Sequence, residues 1–321
     1  MTPDTQTGPI EEWAVKYKDD HDGMRARITD IRNFCKFSEV TVEELLAEAE
    51  KSRQGGSRAS IKTKIVSYLQ HLRQEGYGEG SMKTMFSHIR SFFMWHDLFI
   101  NPSIWTTQST LPDYEDTTKV KLTQAKVMRM IDVAKKPQHK AVIAFLAQTG
   151  QREAIVTALK WDHVTPAMKG SHAIVTVENP YPDRKGVNVN KIRSPFRFVV
   201  GSEAFELMNQ LPKQDGGWVF NISSRQLLRV VEEAADGIGI QRVKQRRKSF
   251  NGKKGEWHKI HPHTLRGYWM GQMRKGQADK EVADYMMGHK VPYGGTYERF
   301  SNRELLANYR KAERYLTVLR E

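Results

Sequence analysis

Apolar residues recur at helical spacing along almost the whole chain, and this pattern stops over one long segment, Asn101–Lys119. The segment has two prolines, many hydroxyl side chains and no apolar periodicity, which is typical of an interdomain linker. A chain of 321 residues is long enough to bury two separate cores. The sequence therefore predicts a helical domain over residues 1–105, a linker over 106–120 and a second domain over 121–321.

Helices account for the first predicted domain. Residues 11–36 have helical patterning, and Thr41 is suited to begin the next helix as an N-cap, with Glu44 completing a capping box. Two further helices, joined by the glycine-rich turn 76–81, are expected to share one apolar face. That face comprises Ile61, Ile65, Leu69, Leu72, Met82, Met85, Phe86, Ile89, Phe92 and Phe93.

The second predicted domain combines helices with a short β-rich stretch. Thr123 is suited to cap its first helix. Residues 172–178 and 195–200 are rich in β-branched and aromatic residues, and they flank a turn-rich insert. The predicted fold class is therefore mainly α with a small antiparallel β-sheet.

Positive charge is concentrated after the predicted linker. The net charge is +14, and residues 119–321 hold 37 Lys and Arg against 19 Asp and Glu. Such a surface attracts polyanions, although charge by itself does not separate DNA from RNA or a membrane. The segment Gln241–Ile260 has eight basic residues and one Glu, and we interpret it as a phosphate-facing loop, the alternative being a solvated basic loop.

Cys35 is the only cysteine, so the chain has neither an internal disulfide nor a Cys-x-x-Cys metal site. No apolar run approaches the roughly 20 residues that span a bilayer, and the polar start does not resemble a signal peptide. We therefore expect a cytoplasmic, nucleoid-associated protein without a membrane partner.

Three motifs in the second domain carry candidate catalytic residues. The segment AQTGQREAIVTALKWDHV contains a T-G-x-R turn with Arg152, and HPHTLRGYW contains an H-x-x-R box with His263 and Arg266. The segment YMMGHKVPYGGTYERFS contains His289 and Tyr297, which follow Arg266 by 23 and 31 residues. In this order and at these separations, the motifs resemble those of the tyrosine recombinases, or phage integrase family.

The resemblance also implies a catalytic lysine in the β-rich hairpin. The family's lysine lies eight residues before a position in the returning strand, and counting back from Val199 indicates Lys191, with Lys185 as the alternative. For the nucleophile, Tyr293 is the alternative to Tyr297. Tyr293 follows His289 by only four residues, which is closer than the family spacing.

These residue types suit attack on a phosphodiester. Two guanidiniums, Arg152 and Arg266, match the nonbridging oxygens with paired donors and stabilise their added negative charge. A phenol is protonated at neutral pH, so Tyr297 needs His263 as a base or hydrogen-bond partner. The departing 5′ oxygen needs a proton, for which Lys191 is the candidate, and His289 would hydrogen-bond the phosphate or brace the site.

The resemblance further implies double-stranded DNA as partner, a homo-oligomer that forms a tetramer on paired DNA sites, and catalysis without metal or cofactor. Residues 61–102 resemble part of the family's core-binding domain, which clamps DNA opposite the catalytic domain. One position departs from the family pattern. Ile155 stands where an acidic residue is common, and Glu153 follows Arg152 directly, so what braces Arg152 is left open.

Other interpretations remain at this stage. His258, His261 and His263 suggest a metal site, but no cysteine or carboxylate nearby completes a usual ligand set. A type IB topoisomerase has the same tyrosine chemistry, but it usually has lysine in place of His263. A catalytically silent DNA-binding protein would lack a catalytic residue, and an RNA-binding protein has only the charge in its favour.

The tail 302–321 carries one apolar helical stripe. The stripe comprises Leu305, Leu306, Tyr309, Ala312 and Leu316. The resemblance implies that this helix docks on a neighbouring protomer, and the alternative is packing against its own domain.

Overall fold

The structure is a computed structural model that describes residues 8–17, 21–53, 59–108, 120–167, 171–212, 217–240, 242–244, 256–290 and 300–319. These residues fall into two compact units. The first is drawn from 1–117 and 244–257, and the second from 118–243 and 258–321. In the described part of the chain, no helix is long and apolar enough to cross a membrane.

Helices pack around one core in the first unit. They are α1 Pro9–Ala14, α2 His21–Ser38, α3 Val42–Arg53, α4 Ala59–Gln74, α5 Glu79–Trp95 and α6 Ser103–Gln108. All ten apolar residues of the face predicted for α4 and α5 are buried, which confirms that prediction. The capping box before α3 is also confirmed, because the Glu44 backbone N–H donates to Thr41 Oγ1 at 3.1 Å and the Thr41 N–H donates to Glu44 Oε2 at 2.8 Å.

The helical structure predicted for residues 11–36 is confirmed in the described residues, although it is divided between separate elements. α1 ends at Ala14, a 3-10 turn follows over Val15–Tyr17, and α2 begins at His21. Trp13 is fully buried, and its ring meets the rings of Tyr17 and Phe92 edge-on. The contact of this large ring with α5 is a tertiary contact, which local helical periodicity does not report.

The second unit is mostly helical and includes a small sheet. Its helices are α7 Gln124–Val133, α8 Pro137–Thr149, α9 Glu153–Thr157, α10 Ser202–Asn209, α11 Ser224–Gly237, α12 Pro262–Lys275, α13 Lys280–Met286 and α14 Asn302–Leu316. Its strands are β1 Val164–Pro166, β2 Ala173–Val177 and β3 Phe196–Val200. A separate two-stranded sheet pairs β4 Arg242–Lys244 with β5 Glu256–His258. Thr123 caps α7 as predicted, with Oγ1 accepting from the Lys126 N–H.

The three-stranded sheet has the order β1–β2–β3, and both pairs are antiparallel, with Val175 opposite Val164 on one side and Phe198 on the other. The fold class predicted from the sequence is therefore confirmed. Every residue of α8 from Ala141 to Thr149 is buried, so this helix runs through the middle of the core and its C-terminal end lies inside the unit.

The C-terminal helix α14 packs in its own unit. The buried residues on it are Leu305, Tyr309, Ala312 and Leu316. Beyond the helix, the carboxylate of Glu203 accepts the backbone N–H groups of Val318 at 2.7 Å and Leu319 at 3.0 Å. The prediction that this stripe docks on a neighbouring protomer is therefore wrong, because other residues of the same chain cover it.

The contact between α12 and α14 leaves no room for a side chain at Gly276. A Cβ at this position would lie 2.4 Å from the Cα of Ala312, which is a backbone atom on the buried face of α14. We expect Gly276→Ala to lower the free energy of unfolding by roughly 1–3 kcal/mol through overpacking. Urea unfolding of the full chain measures this change.

Gly271→Ala is the matched control, because Gly271 is an exposed glycine of the same helix with open space around the Cβ position. It should be neutral or raise the free energy of unfolding by about 0.5–1 kcal/mol, since alanine has the better helix propensity. Equal stability of the two variants would contradict the close packing of α14 on α12.

Candidate active site

The turn after α8 positions the first arginine. α8 ends at Thr149, and Gly150 adopts a left-handed conformation with φ of 63°. A Cβ on Gly150 would also come within 2.9 Å of the Trp269 ring, so the turn requires glycine. Two residues after Gly150, Arg152 is the N-cap residue of α9.

Arg266 is held by backbone carbonyls. It is 3% exposed on α12, and its guanidinium donates to the carbonyl oxygens of Gly150 at 2.7 Å and Met287 at 2.8 Å. These carbonyls belong to the turn after α8 and the turn after α13. One side chain therefore ties three segments of the unit together.

The two arginines lie close enough to repel each other. Burial, followed by the charge of Arg152, lowers the pKa of Arg266 to about 10, and burial also lowers the pKa of Arg152. Both groups are still cationic at neutral pH. Among the described residues no carboxylate pairs with either guanidinium, so the site has an excess of positive charge that a bound anion would neutralise.

A carbonyl braces Arg152 where the family commonly has an acidic residue. The Arg152 guanidinium donates to the carbonyl oxygen of Gly288 at 3.2 Å. Ile155 is 2% exposed and belongs to the hydrophobic core, and Glu153 is exposed. The departure seen in the sequence therefore has a structural counterpart, because a backbone oxygen contacts the guanidinium without cancelling its charge.

His263 lies on the exposed side of the first turn of α12, beside the arginines. Partial burial, followed by the charges of Arg266, Arg152 and His289, lowers its pKa below the usual 6.5. His263 is therefore neutral at physiological pH, and a neutral imidazole can accept a proton from a phenol.

His289 contacts Arg266 directly. Its Nε2 lies 2.9 Å from Nη2 of Arg266, and its Nδ1 lies 3.1 Å from Oδ1 of Asp284. Asp284 was not predicted from the sequence as a residue of this site. The signal for it was an acidic residue five positions before the histidine, which becomes meaningful only when the turn after α13 folds the two side chains together.

The two candidate lysines lie on the connection between β2 and β3, and both are exposed. Next to Lys185, the guanidinium of Arg184 donates to the Phe220 carbonyl at 2.7 Å and to Asn221 Oδ1 at 2.8 Å, so that end of the connection is held by the segment before α11. The charge of Lys191, in contrast, acts on the carboxylate of Glu153. Partial burial raises the pKa of this carboxyl group, and the positive charge of Lys191 lowers it. Lys191 is thus near the turn that carries Arg152.

Tyr297 and its alternative Tyr293 lie outside the described residues. After this segment, the guanidinium of Arg197 on β3 donates to the Phe300 carbonyl at 2.7 Å and to Asn302 Oδ1 at 2.9 Å. Before it, His289 is in place beside Arg266. The chain therefore enters and leaves the segment at positions that the second unit holds.

Two other tyrosines of this unit belong to the core. Tyr268 is 5% exposed and Tyr309 is fully buried, and burial is the main cause that raises the pKa of each phenol. Neither hydroxyl is available to attack DNA.

His258 does not face a phosphate. Its side chain is fully buried, with Nε2 3.1 Å from Oδ1 of Asp236 and 3.0 Å from the Ile240 carbonyl, while Nδ1 accepts the Ile260 N–H at 3.0 Å. The interpretation of Gln241–Ile260 as a phosphate-facing loop therefore does not apply to His258, since both of its ring nitrogens hold local structure. Most of the basic segment Gln241–Ile260 lies outside the described residues.

Structures of similar fold come from DNA recombination proteins. The Tn1549 transposon integrase in complex with transposon right-end DNA matches with a TM-score of 0.55 at 13% identity, over 95% of this chain and 99% of that chain. The XerH site-specific recombinase bound to a palindromic difH substrate, in a post-cleavage complex, matches with a TM-score of 0.52 at 12% identity, over 90% of this chain and 92% of that chain. At these identities the likeness shows the fold.

The sequence itself matches the model of the phage integrase family over residues 121–292, more than half of the chain. No curated protein matches the sequence significantly. The family match covers Arg152, Lys191, His263, Arg266 and His289. The chain therefore belongs to the phage integrase family and is a site-specific recombinase of the tyrosine type.

Proposed function

We propose that this recombinase cleaves and rejoins DNA through a 3′-phosphotyrosyl intermediate, without a metal ion or a high-energy cofactor. The observation that carries the proposal is the pair Arg152 and Arg266, which lie together with carbonyl partners and without a carboxylate among the described residues. Such a pair binds the nonbridging oxygens of a phosphodiester and stabilises the charge that develops on them.

In the proposed cleavage step, the phenolic oxygen of Tyr297 bonds to phosphorus and the bond from phosphorus to the 5′ oxygen breaks. His263 accepts the phenol proton, and Lys191 donates a proton to the departing 5′ oxygen. Rejoining runs the same transfers in reverse with a 5′ hydroxyl as the attacking group. The energy of the phosphodiester is kept in the tyrosyl bond, so the cycle needs no nucleotide hydrolysis.

The proposed substrate is double-stranded DNA, bound by a homo-oligomer that forms a tetramer on paired sites. The positive charge after residue 118 supports a polyanionic partner, and both structures of similar fold described above are DNA complexes. Residues 1–105 would clamp the duplex, residues 106–120 would link the domains, and residues 121–321 would carry the chemistry. Such an enzyme would act in the cytoplasm on nucleoid DNA.

Substitution of the nucleophile tests the covalent step. Tyr297→Phe should reduce formation of the covalent protein–DNA adduct by more than about 10,000-fold while DNA binding is retained, because only the attacking oxygen is lost. Denaturing electrophoresis of the protein with labelled, nicked duplexes measures the adduct. Tyr293→Phe is the matched control and should still form it. An adduct that survives in Tyr297→Phe and maps to Tyr293 would overturn the assignment.

A modified substrate tests the general acid. Lys191→Ala should slow cleavage of ordinary DNA by about 100- to 10,000-fold. The cleavage rate of this variant should recover on DNA with sulfur in place of the 5′ bridging oxygen, because a sulfur leaving group departs without a proton. Arg152→Ala should not recover on this substrate, since the charge on the nonbridging oxygens is unchanged. If Lys185→Ala is the variant that recovers and Lys191→Ala cleaves ordinary DNA normally, Lys185 is the acid.

A further inference from the structure

A row of four polar side chains leads from the surface to the phosphate-binding arginine. Nζ of Lys280 lies 2.8 Å from Oδ2 of Asp284, Oδ1 of Asp284 lies 3.1 Å from Nδ1 of His289, and Nε2 of His289 lies 2.9 Å from Nη2 of Arg266. The backbone N–H of His289 also donates to the Asp284 carbonyl at 3.0 Å. The imidazole is therefore held from both sides at a defined place.

The direction of these hydrogen bonds follows from the chemistry of each group. A guanidinium has donors and no acceptor, so Nε2 of His289 must present its lone pair to Arg266. In the neutral ring the proton is then on Nδ1, which donates to Asp284. Burial acts to raise the pKa of Asp284, but hydrogen bonds from Lys280 and His289 outweigh burial and lower it, so the carboxylate is ionised and accepts.

We propose that Asp284 is a positioning residue for DNA cleavage, which sets the tautomer of His289 so that Nε2 accepts from Arg266, while Lys280 orients the Asp284 carboxylate. The inference rests on the proposed function, in which Arg266 binds the scissile phosphate. With the proton on Nε2 instead, two donors would face each other, and the guanidinium would be pushed from its place between the carbonyls of Gly150 and Met287.

Asp284→Asn tests the tautomer with little change of shape. An amide has one accepting oxygen and one donating nitrogen, and Lys280 can only donate. Lys280 should therefore draw the amide oxygen to its side and leave the NH₂ group facing Nδ1 of His289. That arrangement moves the proton of His289 to Nε2, opposite the Arg266 donor. Removal of Lys280 should let the side-chain amide flip, so that its oxygen faces Nδ1 of His289 and the original tautomer is restored.

The experiment compares wild type, Lys280→Ala, Asp284→Asn and the double variant as full chains. The first readout is the ¹⁵N spectrum of the histidine rings, with the His289 signals identified by their loss in His289→Gln. The second readout is the rate of covalent adduct formation on nicked duplexes captured by the wild type from a pool with randomised core sequence. Thermal melting checks that each variant is folded.

Wild type should show the His289 proton on Nδ1, and Asp284→Asn should show it on Nε2. Asp284→Asn should form the adduct roughly 10- to 100-fold more slowly, because a charged donor loses its acceptor. Lys280→Ala should keep the Nδ1 proton, because either oxygen of the Asp284 carboxylate can accept, and it should form the adduct about two- to fivefold more slowly, because the carboxylate has lost its orienting partner. The double variant should regain the Nδ1 proton and most of the lost rate.

A proton on Nε2 in wild type would overturn the inference, and this result does not depend on the folding of any variant. An Asp284→Asn enzyme that is as fast as wild type would also overturn it, as would one that is slow with the tautomer unchanged. A double variant without recovery would contradict the orienting role of Lys280. If wild type captures no duplex, the proposed function fails, and the wild-type spectrum still decides the tautomer.

Discussion

Two guanidinium groups of the second unit lie close enough to repel each other and are held by backbone carbonyls, and the arrangement of the candidate active site depends on this constraint. Like charges repel, and burial lowers the pKa of both Arg152 and Arg266. Burial and repulsion destabilise the two charges, and three hydrogen bonds to the carbonyls of Gly150, Met287 and Gly288 offset this destabilisation. Each hydrogen bond to a charged group contributes about 1.5–3 kcal/mol. Because carbonyls do not carry a full charge, they do not neutralise the two guanidiniums, whose positive charge can attract a phosphate.

The fold brings the three carbonyls together from distant parts of the sequence. α8 lies in the middle of the core and delivers the turn at Gly150, while α13 delivers the turn that carries Met287 and Gly288. α12 places Arg266 between these turns, and α14 covers the far end of α12 at Gly276. The hydrophobic core therefore positions charged groups to within a hydrogen-bond length, which flexible surface loops would not do.

The sequence was most informative where structure depends on local patterns. Helical stripes predicted the shared face of α4 and α5, and the capping motifs predicted where α3 and α7 begin. Contacts between distant segments were missed. Strand β1 has only three residues, so alternation could not reveal it, and the docking of α14 depends on buried partners elsewhere in the unit. In the site, the motifs identified the arginines, but the carbonyl that braces Arg152 and the carboxylate of Asp284 become neighbours only through turn geometry.

In the proposed mechanism, the charges of Arg152 and Arg266 do the work that a metal ion does in many nucleases. The most direct test is the rate of covalent adduct formation by the wild type in excess EDTA and in magnesium, measured beside Arg266→Lys. We expect equal wild-type rates in both buffers and a loss of about 100- to 1,000-fold in Arg266→Lys, because an ammonium cannot replace the paired donors. Adduct formation that requires magnesium, or that persists at the wild-type rate in Arg266→Lys, would contradict this role of the two arginines.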